Sequence, residues 1–356
     1  MTTLWATIFV LSILVLIHEL GHFLMAKLFK IRVERFSLGF PPRLFGKTIG
    51  ETDYCISAVP FGGYVKISGM IDESLDQSQL TGPPKPWEFR SKKWSQKCLV
   101  ILAGSLMNFL LAYTIFVVST KIHGIEKPKG TWIGGVVPGK PAEKAGLRIG
   151  DRILRINGKP LENWEELTAI VHASPNKPLQ VEWARGDSIL SAIMIPTKEK
   201  FVYKGDIREG GILGILSQIE IHPVSWGNAF GEAGKNFYYL SKLVLVSFAK
   251  LVTGQESLKS IAGPVFIAKM AGESARFGFG ALFEFMAILS LNLAVLNLFP
   301  IPVLDGGHLV ILMIEGVLRR ELSVKVKMLI QQVGIALIIG IMLLALYNDV
   351  LRLVRP

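Results

Sequence analysis

The sequence predicts an α-helical integral membrane protein with four transmembrane helices, a cytosolic-side membrane-associated β-hairpin or small sheet, and an inserted extracytoplasmic α+β domain. Three observations carry this prediction. Half of the 356 residues are hydrophobic and only 19% are charged, against roughly a quarter charged in soluble domains. Four apolar runs come close to the ~20 residues that span a bilayer as a helix. Two of the connecting stretches alternate apolar and polar residues, as half-buried strands do.

The expected spans cover residues 1–28, 98–119, 281–303 and 328–348. The first begins without Lys or Arg, and no small-x-small cleavage site follows it. It is therefore expected to be a retained helix and not a removed export signal. Lys and Arg gather in the first connection (Lys30, Arg32, Arg35, Lys92, Lys93, Lys97) and in the last (Arg319, Arg320, Lys325, Lys327). Both connections are thus expected on the cytosolic side, with both termini outside. The net charge of +11 then suits anionic lipid and topology. No basic run interleaved with aromatics is present, so nucleic acid is not an expected partner. Cys55 and Cys98 lie far apart without redox or metal-ligand spacing; two structural thiols are expected.

The first connection, residues 29–97, holds alternating runs that end in a strand over 63–67, after the turn signal Gly62-Gly63. A sheet edge cannot face lipid unpaired. If this sheet reaches the membrane, its edge (Gly63, Tyr64, Val65) must face a protected cavity, where a substrate strand could pair with it. Residues 124–200 form the inserted module. They carry Gly134-Gly-Val-Val-Pro138, Pro141-Ala-Glu-Lys-Ala-Gly-Leu147 and the turn pairs Gly150-Asp151 and Asn157-Gly158 around a short apolar strand. The pattern resembles a PDZ domain in bacterial strand order, which implies binding of an extended peptide by strand addition. Residues 201–280 follow as an amphipathic or interfacial region with a helix over 229–252.

His18-Glu19-Leu20-Gly21-His22 is an H-E-x-x-H pattern. On a helix, residues four apart stand one above the other on one face. Two imidazoles so placed can share a Zn²⁺, and Glu19 can reach a metal-bound water as general base. Three ionisable groups within five residues of a span need a compensating partner, and a divalent cation supplies it. Gly21 would let another segment approach. A catalytic zinc takes three protein ligands. Asp305, at the inner end of the third span, is the leading candidate, with His308 the runner-up. Around it, Pro300, Pro302, Gly306 and Gly307 break the helix, which is tolerated at membrane depth only where the backbone lines protein or a water-filled cavity.

The His18–His22 pattern on the first span, the stretch from Asn297 to Gly307, and the module between the second and third spans together resemble the site-2 proteases. These are intramembrane zinc metalloproteases, and the likeness is to the bacterial regulator-of-sigma-E type. The resemblance covers essentially the whole chain. It implies a metalloendopeptidase of the bacterial inner membrane, with His18, His22 and Asp305 as Zn²⁺ ligands and Glu19 as base. It implies that Asn297, Pro300 and Pro302 position the substrate, and that Gly104-Ser-Leu-Met-Asn108 packs near the site. Its expected substrates are single-span membrane proteins already shortened by another protease, such as anti-sigma factors or remnant signal peptides. Two departures stand out. One PDZ-like module is present where some relatives carry two. Gly39-Phe40-Pro41-Pro42 replaces the family's Gly-Phe-Gly-Pro. A transporter or metal channel, or an inactive PDZ-bearing scaffold, are the competing readings. The absence of a duplicated pair of broken spans weighs against the first, and the intact motif against the second.

Overall fold

The computed structural model describes residues 2–70 and 82–354; the part of the first connection at 71–81 lies outside the described residues. In chain order the elements are α1 (Thr2–Leu28), β1 (Val33–Ile49), β2 (Thr52–Ile67), α2 (Trp94–His123), β3 (Ile125–Val136), α3 (Pro141–Lys144), β4 (Arg152–Ile156), β5 (Lys159–Pro160) and α4 (Trp164–His172). There follow β6 (Leu179–Arg185), β7 (Ser188–Met194), β8 (Thr197–Tyr203), β9 (Asp206–Ile212), β10 (Ile215–His222), α5 (Trp226–Val252), α6 (Pro264–Phe277), α7 (Phe279–Asn297), α8 (Asp305–Leu318) and α9 (Val324–Val354). Four of these helices, α1, α2, α7 and α9, are long and apolar enough to cross a membrane, with mean window hydropathies between 2.0 and 2.4. Their outward side chains, such as Leu337 and Leu343 on α9, are exposed and apolar, as a lipid-facing surface requires.

The chain divides into two compact units, one running to Phe116 and resuming at Phe248, the other Val117–Ser247. In the first unit, Ala6, Val10 and Leu14 of α1 pack with Ala271 of α6 and Leu282 and Met286 of α7. Further along α1, Ala26 joins Ile31, Val33, Ile67, Val100, Ile101 and Leu312. Small residues let these helices meet closely. A Cβ on Gly21 would lie within van der Waals clash of the Ala103 carbonyl, so the missing side chain is what brings α2 onto α1.

The hairpin β1–β2 folds over on itself. Residues 35–38 lie opposite 63–66 on one side and 53–56 on the other, while 43–49 pair with 52–57. The segment 63–67 is therefore an outer edge. Its inner neighbour carries Phe36, whose ring packs at a tilt against Phe23 of α1 and Tyr54. The Gly39–Pro42 stretch lies within β1, with Gly39 at φ = 91°, a conformation open to glycine and not to the prolines that follow.

In the second unit β10, β3, β4, β6 and β7 form one sheet in that order, with β5 on β4, and β8–β9 form a separate hairpin. Its core gathers Ile133, Ile153, Ile156, Leu167, Val171, Val181 and Trp183. The module expected over 124–200 runs further: β10 pairs with β3, a long-range pairing that local alternation cannot announce. The 201–280 stretch is accordingly partly sheet. The helix expected over 281–303 ends at Asn297, and a separate helix opens at Asp305. The prolines between them donate no backbone N–H and cannot continue a helical ladder.

Candidate active site

His18 and His22 lie one turn apart on α1 and are both buried. Asp305, the first residue of α8, is buried beside them. The His18 and His22 Nε2 atoms are 3.2 Å apart. Asp305 Oδ2 is 3.5 Å from His18 Nε2, and its Oδ1 is 3.4 Å from His22 Nε2. A tetrahedral zinc with ligand bonds near 2.0–2.2 Å has donor–donor edges of about 3.3–3.5 Å. The His18–His22 separation is close to such an edge, each imidazole has a carboxylate oxygen of Asp305 at a similar distance, and one donor atom from each residue lies within 4.8 Å of the others, so this donor set fits a zinc ion in chemistry and proximity. It is also the sole group of three or more potential ligands of this kind among the described residues.

The surroundings orient each donor. His22 Nδ1–H donates to the Val100 carbonyl at 2.8 Å, which leaves Nε2 as the bare lone pair facing the cluster. Ser105 donates to Asp305 Oδ2 at 3.0 Å. The Asn108 side-chain amide lies 3.4 Å from His18 Nδ1, and its buried Oδ1 has no partner among the described residues. Turning that amide over lets Oδ1 accept the His18 Nδ1–H, which satisfies both groups and frees His18 Nε2. Ser290 of α7 donates to the Asn108 backbone carbonyl at 2.8 Å, tying α7 to this turn of α2.

Three glycines make the geometry possible. A Cβ on Gly104 would overlap the His22 ring and press against the His18 ring. On Gly306 or Gly307 it would meet the carbonyls of residues 298, 299 and 301, so the broken segment can fold back under α8. Val303 holds φ = 82°, a conformation strained for a β-branched residue. It lies in the cavity wall, where such strain commonly gathers.

A cavity of about 590 Å³ opens on this cluster. His18, Glu19, His22 and Asp305 form one wall, and Gly63, Tyr64 and Val65 line it from the hairpin. Asn297, Leu304 and His308 also face it. The Val65 N–H donates to Glu19 Oε2 at 3.0 Å, so the outer edge of the hairpin points its hydrogen-bonding groups at the cluster. The Asn297 side-chain amide lies 3.5 Å from His18 Nε2. Pro300 and Pro302 are not brought into this wall. Pro300 is exposed, and Pro302 sits against Gly334 of α9. The glycine at 334 is what admits it. His308 lines the cavity but stands outside the three-donor group. Ser105 and the Val100 carbonyl carried no sequence signal of their own; Ser105 is visible only as part of the Gly104–Asn108 motif.

The arrangement points to a class: a metallopeptidase whose candidate ligands come from two apolar helical elements. The profile of peptidase family M50 matches residues 6–341. A Clostridium perfringens protein named as a candidate zinc metalloprotease is 35% identical, covering 96% of this chain and 96% of that one. A Nostoc protein of the same designation is also 35% identical, over 98% and 96% of the two chains. Protease RseP of Yersinia pestis is 29% identical, over 99% of this chain and 100% of that one. A solved PDZ domain of an SdrC-like protein from Listeria innocua covers 27% of this chain and all of that one, at 22% identity and a TM-score of 0.21. The chain belongs to peptidase family M50, the site-2 proteases. It is a membrane zinc metalloendopeptidase.

Proposed function

We propose that this protein hydrolyses peptide bonds within the transmembrane segments of single-span membrane proteins, as a late cut in regulated intramembrane proteolysis. Anti-sigma factors and remnant signal peptides are the expected substrate types. The observation that supports this reading is the shared cavity. It brings a three-donor cluster, a carboxylate and the outer strand edge of the hairpin into one wall system.

In this reading His18, His22 and Asp305 hold the zinc, and Ser105 and Asn108 orient the donors. A zinc held by them would supply Lewis-acid chemistry for the scissile carbonyl and for a water nucleophile at neutral pH. Glu19 takes the proton from the attacking water and returns it to the departing amine nitrogen. The Val65 N–H holds the Glu19 carboxylate toward the cluster before substrate arrives. The edge at Gly63, Tyr64 and Val65 pairs with the substrate backbone. A helical span hides its amides, and strand pairing keeps the cleaved segment extended. Asn297 offers its side-chain N–H groups to the substrate carbonyl; Pro300 and Pro302 act indirectly, by shaping the turn that carries Asn297 and Asp305. The sheet-rich unit, read as a PDZ domain, binds an extended peptide on the extracytoplasmic side of the bacterial inner membrane.

The test uses the purified full chain in liposomes with single-span substrates. Wild-type protein is expected to cut inside the span and to lose that activity on chelation. Glu19→Gln should retain about one zinc per chain and lose cleavage by several orders of magnitude. Undiminished cleavage by that variant would overturn the role of Glu19.

A further inference from the structure

The hairpin wall of the cavity carries a cation that none of the roles above uses. Arg35 of β1 lines the cavity. Its Nε donates to Asp53 Oδ2 at 3.2 Å, and its Nη1 donates to the Tyr64 hydroxyl at 3.1 Å. Arg43 donates to both oxygens of the same carboxylate, from Nε at 3.1 Å and from Nη2 at 3.1 Å. Two guanidinium groups therefore share one aspartate, and the cluster keeps a net charge of +1. Arg35 Nη2 has no partner among the described residues. The side chain is 38% exposed and lines the cavity. Phe40 stacks on Tyr64 with rings 6° from parallel, so the hydroxyl that braces Arg35 is itself held.

We propose that Arg35, braced by Asp53 and Tyr64, is a specificity-determining residue that recognises an acidic side chain of the substrate close to the scissile bond. This rests on the peptidase reading of the cavity. The register supports it. Residue 35 lies beside the outer edge, opposite Lys66, and Tyr64 is two residues along on the same face. A substrate strand added to that edge lies about 10 Å from β1, two strand spacings away. A glutamate on it, pointing to the Tyr64 face, meets an Arg side chain across the intervening strand. The free N–H groups of a planar guanidinium match a carboxylate better than a lone carbonyl. Cations elsewhere on this wall are already paired: Lys66 lies 3.8 Å from Glu34. The substrate class is thus a span with a glutamate or aspartate within a few residues of the cut, on the side that faces the hairpin.

The test uses full-length enzyme in liposomes and a set of single-span substrates. They carry Glu, Gln or Lys in turn at each of the three positions on either side of the cut. For wild type, one position should favour Glu over Lys by about fivefold or more in kcat/KM. Arg35→Gln should bring that ratio to near one, and Arg35→Glu should invert it. The ratio is read within each variant, so a general loss of activity does not move it. A ratio unchanged in Arg35→Gln overturns the proposal. So does a wild type that cuts every substrate alike, a result that needs no variant to fold. A wild type that cuts none overturns the peptidase reading instead.

Discussion

At the level of single residues, the site depends on atoms that are missing as much as on those present. Gly104 lies against both imidazoles, and an added methyl would overlap the His22 ring. Gly104→Ala should therefore cost most of the bound zinc and most of the activity, both read on purified protein by metal analysis and substrate cleavage. Gly340 on α9 has nothing within 4 Å of where its Cβ would be, and Gly340→Ala is the matched control, expected to keep both. Full zinc content in Gly104→Ala would mean that α2 moves aside more easily than a packed interior allows. The His18–His22 pair is legible in the sequence because four residues make roughly one helical turn. The roles of Val100 and Ser105 are not, because a carbonyl has no residue identity and a serine on an apolar helix has many uses. Arg35 reads in sequence as one more cytosolic-side charge; only its place beside Tyr64 separates it from Lys30 or Lys47.

Among the elements, α6 depends on a contact from the far end of the chain. Asp349 of α9 is buried and accepts N–H bonds from Gly263 at 2.9 Å and from Val265 and Phe266 at 3.0 Å. It satisfies the free donors at the start of α6, which has no side-chain cap of its own. Asn348 donates to the Leu258 carbonyl at 2.8 Å, and Arg352 to that of Lys259 at 2.7 Å, so α9 holds the whole connection before α6. Asp349→Ala should lower stability by about 1–2 kcal/mol, measured by thermal unfolding in detergent. An unshifted midpoint would show that water replaces the cap. The sequence marks the start of α6 with Gly263-Pro264, a good N-terminal signal, but nothing local says that its cap comes from α9. The folded-over hairpin shows the same divide. Alternation shows strands, while the bends that make 63–67 an outer edge arise from pairing with two different segments.

On the scale of the whole molecule, the sheet-rich unit holds a buried ion pair that acid undoes. In the sheet-rich unit Asp151 is buried and takes two N–H bonds from Arg185, both at 2.8 Å. Burial works to raise its pKa, but the Arg185 guanidinium and the Arg148 N–H outweigh burial and hold the carboxyl below its ordinary value. A depressed pKa means that the stabilisation is complete above the unfolded value near 4 and is lost as pH falls through the folded one. The unit's melting midpoint should therefore drop as pH falls below about 4, followed by the fluorescence of the buried Trp183. Asp151→Asn should flatten that dependence. An equally steep fall in the variant would assign it to other carboxylates.

By itself the sequence determined what depends on neighbours along the chain: four apolar stretches of spanning length, two imidazoles on one helix face with a carboxylate between them, and a strand–turn–helix module in one connection. Such features follow from composition and period, which need no partner to be read. Tertiary structure alone decided which distant groups meet. It put Asp305 at 3.4–3.5 Å from both imidazoles, turned Pro302 toward α9, and set an edge strand and an arginine on the wall facing the cluster. The reason is physical. Those distances are set by how closely α1, α2 and α8 pack at Gly21, Gly104 and Gly306, and packing joins residues that no local pattern relates.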